Sequence, residues 1–244
     1  MIHSSVIVED GAEIADDVTI GPFCHIGKDV KLAKGCKLES NVILKGKLSV
    51  DENVRIFSFT TIGKDDSDIT IGKDTFIREF VQIGAQDDDN VKPKKIVIKN
   101  NNFLMGYVQI LSGVETGEFC IFTNAVRLYE NVKCEERVIV GGLSTVEANN
   151  TLGTGVMIGG ASCVDHDMPP FTLVEGNKAS IKGLNIIGLR RRLENKEDIE
   201  KIKGIFKQIL GKEIDRDLAT ELAEIHENEY VKRFSAFVAQ SNMK

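Results

Sequence analysis

Among side chains able to do acid-base work the histidines come first, because an imidazole changes charge near neutral pH and can act as a general base. His3, His25, His166 and His226 are scattered along the chain, the first and last near its ends, and none is spaced as a pair. Surface or packing roles account for each at least as well as catalysis. The five cysteines contain no CxxC pair; Cys24, Cys36, Cys120 and Cys134 fall inside a repeat pattern described below. They read as small buried apolar side chains in a reducing compartment, not as disulfides or zinc ligands. Arg190-Arg191-Arg192 could grip a phosphate through guanidinium forks, and a solvated helix face explains the same run equally well. No spacing in the chain calls for a metal or a cofactor.

Whatever chemistry is present must be positioned by an unusual scaffold. Aliphatic residues recur every sixth position: Ile2, Val8, Ile14, Ile20, Ile26, Leu32, Leu38, Leu44, Val50, Ile56 and Ile62, then Ile71, Ile77 and Ile83. A further series runs from Ile98 and Leu104 through Ile110, Thr116 and Phe122 to Ile158 and Val164, with Thr116 its only frankly polar member. Four residues after each comes a second small or branched residue, such as Val18, Cys24, Val30, Val108 and Cys120. Neither a helix of period 3.6 nor a two-residue alternation requires a strict six, so the pattern predicts short strands separated by turns. Three strands make one triangular coil, and stacked coils pair as parallel strands around an aliphatic interior. Glycine after the aliphatic, as in Ile20-Gly21, Ile26-Gly27, Ile62-Gly63 and Ile71-Gly72, suits a tight corner.

The period breaks twice. Nine residues separate Ile62 from Ile71, and fifteen separate Ile83 from Ile98 across a polar, Pro-containing stretch. Loops are expected at 63–70 and 84–97, extruded from a prism that occupies 1–170. After Pro169-Pro170 the spacing turns helical, and Ile199, Ile202, Ile205, Phe206 and Ile209 trace one apolar face. A helical domain is therefore expected over 171–244. The net charge of -6 argues against nucleic acid or an anionic membrane surface as a partner. No apolar stretch approaches the roughly 20 residues that a membrane span needs, and a cytoplasmic location is the simplest expectation.

Several segments also stand in a recognisable order: Ile77-Arg78-Glu79-Phe80, Asn102-Phe103-Leu104-Met105, Gly141-Gly142-Leu143, Asp167-Met168-Pro169-Pro170-Phe171, Glu175-Gly176-Asn177, Gly183-Leu184-Asn185 and Gly188-Leu189-Arg190-Arg191-Arg192. In this order they resemble the bacterial UDP-N-acetylglucosamine acyltransferases, the family that begins lipid A synthesis. The resemblance runs from about residue 5 to the last helix and is most specific over 167–192. It implies an all-β left-handed parallel β-helix of hexapeptide repeats with a C-terminal α-helical domain. It further implies a homotrimer with sites between neighbouring prisms, and transfer of a 3-hydroxyacyl chain from acyl carrier protein to a hydroxyl of the UDP-sugar.

The resemblance also locates the base, and this chain departs from it there. Where the family carries its His-x-x-His-Asp motif stand Gln109 and Ser112-Gly113; the next family histidine corresponds to Asn131, and a fourth to Glu147. The family's sugar-contacting loop is shortened to Lys64 through Asp68. Asn185 and Arg191 match nucleotide-contacting positions, with Ile187 in place of the acidic residue expected between them, and Gly142 and Gly160 match glycines of the acyl groove. Two main readings follow for this diverged member that lacks the family's catalytic histidines, beside a weaker third in which the original O-acylation persists with a relocated base. One is a transferase acting on a UDP-amino-sugar, whose neutral amine needs no prior deprotonation. The alternative is a catalytically silent homologue that binds ligand, regulates, or partners an active paralogue.

Overall fold

The computed structural model describes residues 1–85, 92–193, 195–211 and 213–243. Short strands, most of two residues, repeat around a triangular prism. They build three parallel sheets, called here the first, second and third faces after the strands Ile7–Val8, Glu13–Ile14 and Thr19–Ile20 that begin them. The partner of a strand lies one coil away, so His25 pairs with Ile7 and Ile43 with His25. This is the parallel β-helix that the hexads predict.

From Val18 onward most inward positions are filled as expected, while Ile2 and Val8 of the first hexads are exposed and Asn102 and Asn150 stand where a small or branched residue is expected. Ile26, Leu44, Ile56, Ile77, Leu104, Ile110 and Leu128, and the smaller Val30, Cys36, Val54, Val108 and Val126, are fully buried in one continuous core. Burial of this continuous aliphatic column, at roughly 25 cal/mol per Å² of apolar surface, is the main stabilising contribution. Cys24, Cys36, Cys120 and Cys134 are buried free thiols, and Cys163 is half-buried. Desolvation pushes the Cys36 thiol up to about 11 and Cys120 to about 12, which keeps both protonated and unreactive at neutral pH.

Thr116, the polar exception, has a specific partner. Asn102 is 1% exposed, and its amide nitrogen donates to Thr116 Oγ1 at 3.0 Å, Lys99 O at 2.8 Å and Gly117 O at 2.9 Å. Its amide oxygen accepts the Cys120 N–H at 2.7 Å. A fully satisfied polar knot thus replaces two aliphatic contacts in that coil.

The corners divide the work of glycine differently from the simple expectation. At Gly21 and Gly72 the backbone is not left-handed; a β-carbon there would strike the neighbouring coil's backbone at Glu39 or Lys99. Left-handed φ falls elsewhere, on Gly63 at 81° and on non-glycine residues including Asn41, Asn53, Asn101, Asn131 and Asn149, a residue type that tolerates that region. Phe59, Phe80 and Tyr107 also hold it, on the edge between the third and first faces, and their exposed rings stack at 5.2 and 4.9 Å.

Both breaks in the period leave the prism at the edge between the first and second faces. Thr61–Ile62 connects to Asp68–Ile71, and Gln82–Ala85 connects to Ile96–Ile98. The strands therefore take up residues 68–70 of the first expected loop and 84, 85, 96 and 97 of the second, and residues 86–91 lie outside the described set. The third face also continues past Pro170, through Thr172–Glu175 and the antiparallel Ser180–Leu184. Pro169 and Pro170 end the six-residue spacing without ending the sheet.

Four helices follow: α1 (Ile186–Arg192), α2 (Lys196–Ile209), α3 (Arg216–Ile225) and α4 (Glu229–Gln240). Asn185, Asn195, Asp215 and Asn228 cap them by accepting backbone N–H bonds. The cap is tied to the prism by Arg233 to Glu136 at 2.7 Å and by the Asn242 N–H to Asp167 at 2.6 Å. Among the described residues no helix is long and apolar enough to cross a membrane.

Candidate functional site

Three of the four expected base positions stack beside one another on the edge between the first and second faces. Ser112 follows the strand Gln109–Leu111, Asn131 follows Arg127–Leu128, and Glu147 follows Thr145–Val146. Gln109 lies within the first face, where its amide donates to Gln82 Oε1 at 3.1 Å. Ser112 is 7% exposed. Its hydroxyl accepts the Lys94 backbone N–H at 2.7 Å and lies 3.5 Å from the Lys94 carbonyl. The hydroxyl is therefore a satisfied acceptor, and neither partner can remove its proton.

Lys94 also sends its side chain along the edge. Its Nζ donates to Asn131 Oδ1 at 2.8 Å, and Asn131 Nδ2 donates to Asn149 Oδ1 of the next coil at 3.0 Å. Asn131 sits at φ 58° and Asn149 at φ 65°. Gly113 beside them makes room: an added β-carbon would come within 2.6 Å of Asn131 Oδ1. The result is a run of donors and acceptors reaching from the second loop across two coils. Glu147, beyond it, accepts a long contact of 3.7 Å from the Cys163 thiol.

The remaining site residues lie on other edges. Asn185 faces the edge between the second and third faces; its Oδ1 accepts the Gly188 N–H at 2.9 Å and its Nδ2 donates to Gly155 O at 3.2 Å. Its amide is thus occupied in starting α1 and docking it on the prism. Arg191 is exposed in the last turn of α1, whereas Arg192 turns inward, donates to Arg137 O at 3.3 Å and has its acidity raised by burial. Gly142 and Gly160 stand on the third edge, in adjacent coils. A β-carbon on Gly160 would approach Gly142 O at 3.3 Å, so close coil packing explains glycine there without a ligand.

One chain therefore does not bring its site residues together; they occupy three edges of one prism. The histidines are elsewhere. His3 contacts Ser5, His25 contacts Glu9, His166 contacts Asp165, and His226 accepts the Asn228 N–H. Among the described residues no His, Cys, Asp or Glu cluster could hold a metal. Sequence reasoning missed Lys94, which lies in a Lys92-Pro93-Lys94-Lys95 stretch that reads as solvated loop. Its only signal was that an insertion in a repeat fold often serves the binding face.

The geometry places the chain in a class, the hexapeptide-repeat β-helices with a helical cap. A family profile described as bacterial transferase hexapeptide, six repeats, matches residues 11–46, and one described as UDP N-acetylglucosamine O-acyltransferase, domain 2, matches 167–243. The acyl-[acyl-carrier-protein]--UDP-N-acetylglucosamine O-acyltransferase of Aliarcobacter butzleri is 40% identical across 97% of this chain and 94% of its own. That of Sulfurovum is 36% identical over 98% and 95%. Among solved structures, UDP-N-acetylglucosamine acyltransferase from Campylobacter jejuni superposes with a TM-score of 0.91 at 31% identity, covering 99% of this chain and 97% of that one. The chain belongs to the UDP-N-acetylglucosamine acyltransferase family of the lipid A pathway.

Proposed function

We propose that this protein transfers an acyl chain from acyl carrier protein to the amino group of a UDP-amino-sugar, as a cytoplasmic homotrimer and a diverged member of its family. The observation that carries the reading is the chemistry of the edge between the first and second faces. Gln109, Ser112, Asn131 and Glu147 occupy the positions that the family resemblance assigns to histidines, and the Ser112 hydroxyl is held as an acceptor by Lys94. A sugar hydroxyl attacks a thioester slowly without a base. A neutral amine attacks with its own lone pair, so such an edge suits an amine acceptor.

The separation of the site residues supports the trimer. Asn185 and Gly142 stand on different edges from Ser112, so a site using all three groups needs the edge of a neighbouring copy. Stacked, exposed Phe59, Phe80 and Tyr107, and the outward Phe76 and Phe103 of the third face, supply apolar surface for such contacts.

Purified protein is incubated with acyl carrier thioesters and a panel of UDP-sugars and UDP-amino-sugars, and products are read by mass spectrometry. N-acylated amino-sugar is expected. Absence of acylated product across the panel overturns the transfer reading in favour of a silent, ligand-binding homologue.

A further inference from the structure

We infer that Lys94 is a catalytic residue of this site, holding the negative charge that appears on the thioester carbonyl oxygen during transfer. The inference rests on the acyl-transfer reading above and adds a residue to it. Three observations converge. The Lys94 backbone N–H is bonded to Ser112 Oγ, so the residue is anchored at a position where the family resemblance expects a base. Its Nζ, on an exposed side chain, is hydrogen-bonded to Asn131 Oδ1, which Asn149 in turn holds through the Asn131 amide nitrogen. An ammonium has three N–H donors and no acceptor; among the described residues one is used on Asn131, which leaves the others for an anionic oxygen beside Ser112.

The electron bookkeeping closes without a base on the protein. The amine lone pair forms the C–N bond while the carbonyl π electrons move to oxygen, and Lys94 stabilises that oxyanion without giving up a proton. Collapse re-forms the carbonyl and breaks the C–S bond. The nitrogen loses a proton to solvent and the departing thiolate takes one, yielding amide and carrier thiol. A fixed cation at the developing charge is the contribution expected to be largest in such a site.

The test uses Lys94→Met and Lys94→Arg in the full chain. Lys94→Met should lower kcat by about 100-fold with KM nearly unchanged, and Lys94→Arg should recover much of the loss. A second measurement is independent of turnover: affinity for two carrier-linked acyl analogues, one with an anionic tetrahedral phosphonate at the thioester position and one with an uncharged thioether. Lys94→Met should weaken the phosphonate by about 100-fold and leave the thioether within a few-fold. If wild-type protein turns over no acceptor, the transfer reading fails and Lys94 is judged on the analogues alone. Unchanged kcat in Lys94→Met, equal weakening of both analogues, or failure of wild-type protein to bind the phosphonate overturns the proposal.

Discussion

Replacing Asn102 with alanine removes four side-chain hydrogen bonds from the interior of one coil. The Cys120 N–H loses its partner at 2.7 Å in a fully buried position, which costs about 1–3 kcal/mol. The Thr116 hydroxyl and the Lys99 and Gly117 carbonyls each lose a donor, and a small void opens in place of the amide. Together these give about 3–5 kcal/mol, large beside the effect of ordinary surface substitutions. Thr116→Val should cost about 1 kcal/mol alone, and the double variant should cost less than the two singles summed, because Thr116 and Asn102 share one bond. Urea unfolding at a fixed protein concentration measures the energies, since self-association would otherwise shift the midpoint. Amide exchange at Cys120 should accelerate by about 100-fold in Asn102→Ala. A loss below about 1 kcal/mol together with unchanged Cys120 protection would refute the account of the polar knot.

Phe80→Asn keeps a residue tolerant of left-handed φ while breaking the stack with Phe59 and Tyr107; the native mass by light scattering should fall from that of the proposed trimer toward monomer, and an unchanged mass counts against an interfacial role for that edge. Raised folded-state thiol pKa values give a contribution to stability that is constant below pH 9 and is lost as pH rises from 9 toward the folded values of about 11 for Cys36 and about 12 for Cys120. Urea midpoints across that range should fall, and a Cys36→Ala/Cys120→Ala variant should flatten the decline. Thiol titration of the native protein should modify Cys163 before the four buried cysteines; fast release of all five would contradict the burial. Gly155→Ala forces a side chain at φ 67° into the Arg192 guanidinium, so it should destabilise by about 1–3 kcal/mol; a neutral outcome by thermal melting would show that the α1 contact is loose.

The prism was legible because its cause is local and repeated: an inward side chain every six residues is written in the composition of each hexad. The knot at Asn102 was not, since Thr116 and Asn102 each stand at an inward position of the period, fourteen residues apart, and nothing in the period says that the two polar side chains meet. The same holds for the site. Ser112 and Asn131 could be located by alignment to a resembling motif, but their state depends on Lys94, which is eighteen and thirty-seven residues away and reaches them across the coil edge. Asn185 matched a nucleotide position, yet its amide is also engaged by the start of α1 and by Gly155, a contact that only the docking of the cap onto the prism creates.

Two edges of the prism step from strand to strand by six residues throughout the described coils, while the edge carrying Ser112 and Asn131 alone takes steps of nine and fifteen. The inward residues stay opposite one another across those longer steps, Ile62 with Ile83 and Ile83 with Ile110, and the register shifts only beyond them, at a bulge between Ile83 and Ala85. Length can therefore be added or removed beside Ser112 and Asn131 without a single inward side chain changing its place. For an engineer, that edge is the position for grafted segments; for a lineage, it is where substrate preference can drift while the frame that carries it stays intact.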